Sequence, residues 1–551
     1  MKFFQNHKQI IFFYSSLILF VILALFVRLH DFGTYPADVN CDEAMAAVEA
    51  MAIIENGTDQ YGTSYPVYFE TWGHGQMNAL LIYLLSSAIK LLGPGTVVVR
   101  LPMLLFSLTG IAAITWIAWM LFSKEAALFV LAFASINPWH IMLSRWTLES
   151  NLFPHCLVFG LALLIYSIKS RKAFYFCLSM IFYAISLYAY GVAYAFVPVF
   201  LVLTYIYLYR LKVFRISVFA LGGICFFSVA WPILWMMIIN FFHLKTLSIG
   251  PMTIQLFENT TRTSDLIFSS GNFPSQLLNN LKHFFDIVIL QKMDLWWNQL
   301  PKIGTMYKIT LPFFLIGCGI SWKGIWLYGK NGQLNFQKIG IRVLFFHLFS
   351  SFVSGLIINN VNVNRINNIF YIIILFSAAG ICGIALKKRL VGRSLMVIYG
   401  IYFLFFGYRY FYSEDRYFLN YTYDKGFEKT ILRTTDFSSE PVCVSTNLYR
   451  PDRKIADTYL KYYLRLPYRY YSGLMDQSEL IQSGYEIPYA EKYVIFDDLE
   501  KIYSEYEDRC IFVINVRDRD FFDRNLFTVE TEDFFSIAIP NSLVNPVVPM
   551  D

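Results

Sequence analysis

The residues best suited to chemistry fall in three stretches that lie far apart in the chain. The first, Pro36-Ala37-Asp38-Val39-Asn40-Cys41-Asp42-Glu43-Ala44, gathers three carboxylates, the groups that general acid–base chemistry uses. The same residues fit a structural role equally well: Asn40 or Asp42 can cap a helix beginning near Glu43, where the helix dipole favours acidic side chains. A little further on, Trp72-Gly73-His74-Gly75-Gln76 is a small-residue run that lets backbone or a ligand approach closely, and His74 is its candidate for substrate contact. The second stretch runs from Asn137-Pro138-Trp139-His140 to Ser144-Arg145-Trp146-Thr147-Leu148-Glu149-Ser150-Asn151. Here Glu149 is a candidate for catalysis and Arg145 for substrate contact, although their spacing of four also suits a surface ion pair worth about 1 kcal/mol or less. The third, 359–368, sets Arg365 among asparagines. A guanidinium fork donates two hydrogen bonds to one phosphate, so Arg365 suits a phosphorylated substrate or a lipid headgroup. Arg100 has the same two uses, and there the structural one is favoured.

The elements that must position these residues are membrane helices. Of 551 residues 56% are hydrophobic and only 15% charged, more apolar than one soluble core can hide. The 53 Phe and 38 Tyr suit membrane cores and interfaces. A net charge of +6 is modest and makes no case for nucleic acid, so Lys and Arg serve as topology markers. Uncharged runs near 10–27, 101–122, 126–143, 152–168, 174–190, 192–209, 216–238, 309–322, 343–358, 369–386 and 394–408 give about eleven transmembrane helices. Lys2 and Lys8 before the first run set the N-terminus inside. That run reads as a span rather than a cleaved signal peptide, because no clear small-x-small site follows it.

The run 77–93 contains Lys90 and ends in Gly93-Pro94-Gly95. If it stays at the membrane surface, Lys124, Lys169 to Lys172, Arg210 to Arg215, Lys330 with Lys338 and Arg342, and Lys387-Lys388-Arg389 all face the cytoplasm, as the positive-inside rule requires. If it crosses, they face outward. It therefore reads as a juxtamembrane helix in the first outer loop. The outer side then holds 29–99, the loop at 144–151, the long loop 239–307, the loop 359–368 and the tail from about 412, so the three chemical stretches share one face of the membrane.

The chain divides by composition into a membrane part, 1–411, and a tail, 412–551. The tail mixes charged residues and Tyr with β-prone runs at Val442 to Thr446, Tyr493 to Phe496 and Ile511 to Val516, and with a helical stretch near Ala456 to Leu464. That pattern indicates a small extracytoplasmic α/β domain. Asp497 and Asp498 read as solvated residues at a strand end. Eight cysteines include no Cys-x-x-Cys pair and no Cys/His cluster at metal spacing, which argues against a thiolate zinc site. Cys443 and Cys510 can form a disulfide if the tail is outside, or remain as two buried thiols on strands.

Taken in order, Asp42-Glu43-Ala44 after the first span, Arg100-Leu101-Pro102 opening a later one, and Asn137-Pro138-x-His140 followed by Ser144-Arg145-x-x-x-Glu149 resemble the GT-C glycosyltransferases. Within them the likeness is to the protein O-mannosyltransferase and lipid A aminoarabinose transferase group. It covers roughly residues 10–210, thins through the later spans and is absent from the tail. The resemblance implies an inverting glycosyltransferase in the plasma membrane of a bacterium, moving a sugar from a polyprenyl-phosphate donor lipid to a hydroxyl of a glycan, lipid or protein acceptor on the outer face. Its first-loop aspartate corresponds to Asp42, with Glu43 beside it, and by weaker carry-over Glu149 and Arg365 join the site. A phosphate leaving group needs no general acid, so one carboxylate base suffices, whereas a glycoside hydrolase needs a pair across the bond. Metal dependence varies in the superfamily: no metal ligand and no cofactor is assigned, and a divalent metal stays open.

Two other classes compete. A multi-span transporter of a lipid-linked or polar solute would place ionisable groups within its spans near the midplane, whereas here the notable acids lie in loops. A non-catalytic scaffold displaying its tail leaves the acidic loop unexplained.

Overall fold

The structure, a computed structural model of the chain, describes residues 2–72, 75–258, 267, 272–327, 335–437, 440–476, 478–479 and 492–544. The helices of the first part are α1 (Lys2–Leu29), α2 (Cys41–Asn56), α3 (Ala79–Leu92), α4 (Thr96–Leu121), α5 (Lys124–Ile136), α6 (Pro138–Leu143), α7 (Glu149–Ser170), α8 (Ala173–Ser186), α9 (Ala193–Arg210) and α10 (Ile216–Phe242). They are followed by α11 (Phe273–Val288), α12 (Thr310–Leu327), α13 (Phe336–Ile357), α14 (Phe370–Lys387) and α15 (Arg389–Tyr412). Among the described residues eight helices are long and apolar enough to cross a membrane, and they fall in α1, α4, α7, α9, α10, α13, α14 and α15. This is an integral membrane protein, mostly helical, with a small mixed sheet at its C-terminal end.

Three further runs counted as spans from the sequence are less simple. The run 126–143 is two helices, because Pro138 cannot continue α5 and instead opens α6 at its first turn, with Asn137 accepting a hydrogen bond from the His140 backbone N–H at 3.0 Å. Helix α8 has 14 residues and α12 has 18. Helix α3, the juxtamembrane candidate, also has 14 residues, about 21 Å against a hydrocarbon core of about 30 Å. The helices pack as α12 on α14, α7 on α8, α8 on α10, and α4 on both α5 and α7.

The sequence between α1 and α3 folds as α2 and a hairpin, β1 (Tyr68–Thr71) with β2 (Gly75–Asn78), paired antiparallel. Asn40 is the N-cap of α2, which starts at Cys41; Glu43 closes a capping box by accepting from the Asn40 backbone N–H at 2.9 Å. Gly57 ends α2 at φ 72°, the left-handed position that glycine adopts without strain. The segment between α10 and α12 carries a second hairpin, β3 (Leu247–Ile249) with β4 (Met252–Ile254), and α11, which the sequence did not announce. Asn280 of α11 donates to the carbonyls of Leu356 and Ile358 at the end of α13.

The tail begins with α16 (Glu414–Tyr421) and α17 (Phe427–Arg433), then alternates strand and helix: β5 (Val442–Ser445), α18 (Arg453–Tyr463), β6 (Tyr493–Phe496), β7 (Ile511–Asn515), β8 (Phe527–Glu532) and β9 (Phe535–Pro540). The strands order as β6-β5-β7-β9-β8, parallel across β6, β5 and β7 and antiparallel beyond. Side chains alternate between faces with a period of two. Val442, Val444, Ile511, Val513, Ile537 and Ile539 join the core shared with the rest of the chain, while Cys443, Phe512, Ile514 and Ala538 form a separate cluster with Ile502. A disulfide joins Cys443 to Cys510. The tail is stitched to the segment between α1 and α3: Asn420 accepts from Ala37, Tyr463 from Val39, Asp38 accepts from the Gly426 backbone N–H, and Lys454 donates to the Trp72 carbonyl.

Candidate active site

One cavity of about 360 Å³ is lined by Asp42, Glu149 and Arg365 together, with Trp72, Trp297, Asn362, Asn364 and Arg450 among the rest of its wall. Three stretches separated by long spans thus meet at one end of the bundle. Asp42 stands in the first turn of α2, where the cap is supplied by Asn40 and the Asp42 backbone N–H donates to Asn40 Oδ1 at 3.1 Å. Its carboxylate therefore faces the cavity rather than serving as the cap. Glu149 is the first residue of α7 and is buried; its Oε2 accepts from the Asn78 backbone N–H at 2.7 Å, tying the end of β2 to α7. The positive end of the helix dipole favours a carboxylate at that position.

Arg365 lies in the short turn between α13 and α14. Asn362 Oδ1 accepts its backbone N–H at 3.1 Å, and its guanidinium donates to the Asn359 carbonyl. The turn is held by the segment between α11 and α12: Asp294 accepts the Val363 N–H at 2.7 Å, and Asn298 donates to Asn364. Asn298 also donates to Asn151 Oδ1 at 3.1 Å and accepts from Trp146 Nε1 at 2.9 Å. One buried amide thus ties the start of α7 to the Arg365 turn. No sequence motif announced Asn298.

The residue that sequence reasoning missed most plainly is Arg450, from the tail. Its Nη1 is 4.0 Å from Asp42 Oδ2, and its guanidinium stacks over Trp297 at 5.0 Å. Burial alone would lower its proton affinity, but Cys41 and Asp42 beside it raise it. Asp424 holds the segment in place, accepting the Tyr449 N–H at 2.7 Å and the Tyr459 hydroxyl at 3.2 Å. Burial pushes the Asp424 carboxyl up to about 7, and burial with the nearby Glu428 pushes Asp38 up to about 6.

Two expected substrate contacts sit elsewhere. Glu43 does not line the cavity: its oxygens accept from Arg100 Nε at 2.9 Å, Arg100 Nη2 at 2.8 Å and the Thr147 N–H at 2.7 Å, as well as from Asn40. Both side chains of the Glu43–Arg100 pair are fully buried. Arg145 makes no ion pair with Glu149; its guanidinium is buried and donates to the carbonyls of Val27, Arg28, Asp31 and Tyr35. A spacing of four allows the pair, but Arg145 precedes α7 and points to the loop after α1. The structural reading of Arg100 matches its pairing. His74 lies outside the described residues. Asp497 pairs with Arg453 at 2.6 Å on the surface and Asp498 caps the helix Leu499–Tyr506. Among the described residues no cluster of three His, Cys, Asp or Glu is placed to hold a metal ion.

A bundle of membrane helices with a cavity at one end, built in part from the loop after the first span and joined by a small mixed-sheet domain, is an arrangement that can be compared with solved structures. Neither a protein-family model nor a curated protein matches the sequence. Solved structures do match: ArnT from Cupriavidus metallidurans bound to undecaprenyl phosphate aligns over 95% of this chain and 98% of its own, at 13% identity and a TM-score of 0.51. The apo oligosaccharyltransferase of Archaeoglobus fulgidus aligns over 92% of this chain and 70% of its own, at 10% identity and a TM-score of 0.49.

Proposed function

We propose that this chain is an inverting glycosyltransferase that moves a sugar from a polyprenyl-phosphate lipid to an acceptor hydroxyl at the outer membrane face. The observation that carries the reading is the single cavity where Asp42, Glu149 and Arg365 meet. The shared fold with an ArnT structure that holds undecaprenyl phosphate supports the lipid class. In the reaction, Asp42 takes the proton from the acceptor hydroxyl as its oxygen attacks the anomeric carbon. The bond from that carbon to the phosphate oxygen breaks on the opposite face, and its electron pair leaves with the phosphate. That phosphate is already anionic, so the groups it needs are cations, supplied by Arg365 and Arg450. Glu149 orients the incoming sugar or acceptor. Glu43 and Arg145 act as positioning residues for the Asp42 loop. Residues 1–411 carry the catalysis, and 412–551 serve acceptor recognition and support, with Arg450 as their reach into the cavity. A divalent cation would find hard oxygen ligands in Asp42 and Glu149, but the mechanism routes no step through one.

The basic residues grouped at the other end of the bundle support an outward-facing site, as does a disulfide in the tail, a bond that persists in oxidising compartments. Transport of a lipid-linked or polar solute is the alternative. On its side is a buried polar chain among the helices, Arg28 to His140 to Tyr371 to His155, each link 2.8 Å. Proteoliposomes loaded with polyprenyl-phosphate monosaccharides separate the readings: acceptor-dependent release of polyprenyl phosphate supports transfer, while movement of the intact lipid across the bilayer without turnover supports transport. Failure of the donor lipid to bind at all would remove transfer and leave only transport of a polar solute.

A further inference from the structure

The two arginines assigned to the leaving phosphate come from distant parts of the chain, Arg365 from the turn between α13 and α14 and Arg450 from the tail. Two guanidinium groups repel one another, and each loses side-chain freedom on binding an anion. A phosphate therefore gains from both only if other residues fix them beforehand. A short turn, 294–299, between α11 and α12, reaches the supports of both.

The turn closes on itself. The Asn298 backbone N–H donates to the Leu295 carbonyl at 3.3 Å, and the buried Gln299 side chain accepts the Asp294 N–H at 2.7 Å. From this frame Trp297 and Asn298 leave in different directions. Trp297 lines the cavity and offers its ring to the Arg450 guanidinium at 5.0 Å, a cation–π contact. Asn298 is fully buried on the Arg365 side. Its oxygen must face Trp146, because an indole N–H only donates, and both amide hydrogens are left for Asn151 Oδ1 and Asn364 Oδ1. Asn364 immediately precedes Arg365, and the residue before it, Val363, is held through its N–H by Asp294 of the same turn. The two placements share a brace: Trp146 donates to Asn298 at 2.9 Å and meets the Trp297 ring edge-on at 6.4 Å.

We propose that Trp297 and Asn298 are positioning residues for the donor phosphate: Trp297 sets Arg450 and Asn298 sets Arg365, so that one turn fixes the spacing of the two cations. The inference rests on the transfer reading, in which both arginines meet the phosphate. Each residue acts through its arginine.

The test is binding of a fluorescent polyprenyl phosphate to the full-length protein in phosphatidylcholine nanodiscs, beside the uncharged polyprenol. The wild type should prefer the phosphate. Trp297→Leu should weaken phosphate binding roughly fivefold, and Trp297→Phe, which keeps a ring face, should recover most of it. Asn298→Ala should weaken it roughly tenfold, as loss of a charge-assisted hydrogen bond from a displaced Arg365 would. Polyprenol binding should not move. The pairing is the decisive readout: Trp297→Leu should add nothing in an Arg450→Ala background yet keep its full effect beside Arg365→Ala, and Asn298→Ala should do the reverse. Equal losses in every background, equal losses for polyprenol, or undiminished phosphate binding would each overturn the proposal. A wild type that binds polyprenol as well as polyprenyl phosphate would instead remove the transfer reading beneath it. Asn298→Ala leaves the buried Trp146 N–H unpaired; if that variant does not accumulate, the Trp297 variants and their two arginine backgrounds decide alone.

Discussion

Replacing Asp42 with Asn separates catalysis from structure, and the geometry allows both costs to be worked out. The cap of α2 is Asn40, whose oxygen receives the Asp42 backbone N–H, so the substitution leaves the cap intact. What is lost is a carboxylate near a helix N-terminus, about 0.3–1 kcal/mol, and its contact with Arg450. That contact spans 4.0 Å between side chains 24% and 45% exposed, a pair worth about 0–1 kcal/mol. The stability cost is thus about 0.3–2 kcal/mol, too little to unfold a bundle of this size. Loss of a positioned base costs about 10² to 10⁴ in rate, or roughly 3–5 kcal/mol of transition-state stabilisation. Turnover should therefore collapse in a folded protein. The assay is release of polyprenyl phosphate from a monosaccharide donor in proteoliposomes, normalised to folded protein by size exclusion. Asn40→Ala is the control: removing the cap costs about 0.5–2 kcal/mol of stability, while turnover per folded molecule stays within about tenfold, since the base is retained. If Asp42→Asn turned over at more than about a tenth of the wild-type rate, Asp42 would not be the base, and Glu149 would be the next residue to test.

Arg450→Ala should raise the donor KM roughly tenfold, the worth of one charge-assisted hydrogen bond, with little loss of stability because the side chain is half exposed; an unchanged KM would remove the tail from the cavity. Glu43→Gln leaves Arg100 buried without its counter-charge, a loss of about 3–5 kcal/mol that should show as failure to accumulate folded protein, and the double variant Glu43→Met with Arg100→Met should recover part of it. A Glu43→Gln protein as stable as wild type but inactive would return Glu43 to the reacting groups. The pH dependence of tail docking has a definite sign. Asp424 is raised from 3.8 to about 7 by burial, so the folded state binds the proton more tightly than the unfolded state. Stability from this group is fullest below about pH 4 and declines as pH rises to about 7, with Asp38, raised to about 6, acting in the same direction. Thermal unfolding followed between pH 5 and 8 should flatten in Asp424→Asn, and an unaltered slope would assign it to other groups.

The membrane character of the chain was legible in the sequence because it rests on composition and run length, which act locally. An uncharged run near Phe370 must find an apolar solvent whatever its neighbours do. The cap at Asn40, the break at Pro138 and the β-prone runs of the tail are also local, since each depends on residues within one turn or one strand. The acidic loop and Arg365 were visible as residue types, but their meeting was not. Asp42, Glu149 and Arg365 come from loops separated by spans, and only the packing of α7, α13 and α14 with the Asn298 bridge brings them to one cavity. The sequence placed Glu43 beside Asp42 and gave Arg145 a partner four residues on, yet successive helical positions face different ways, and Arg100 claimed the one while four backbone carbonyls claimed the other. Arg450 was hidden for a related reason. A surface-type arginine acquires a site only when its domain docks, and that docking is decided by the face of the sheet carrying Val444 and Val513 and by the buried polar contacts of Asp38 and Asp424, all of them long-range.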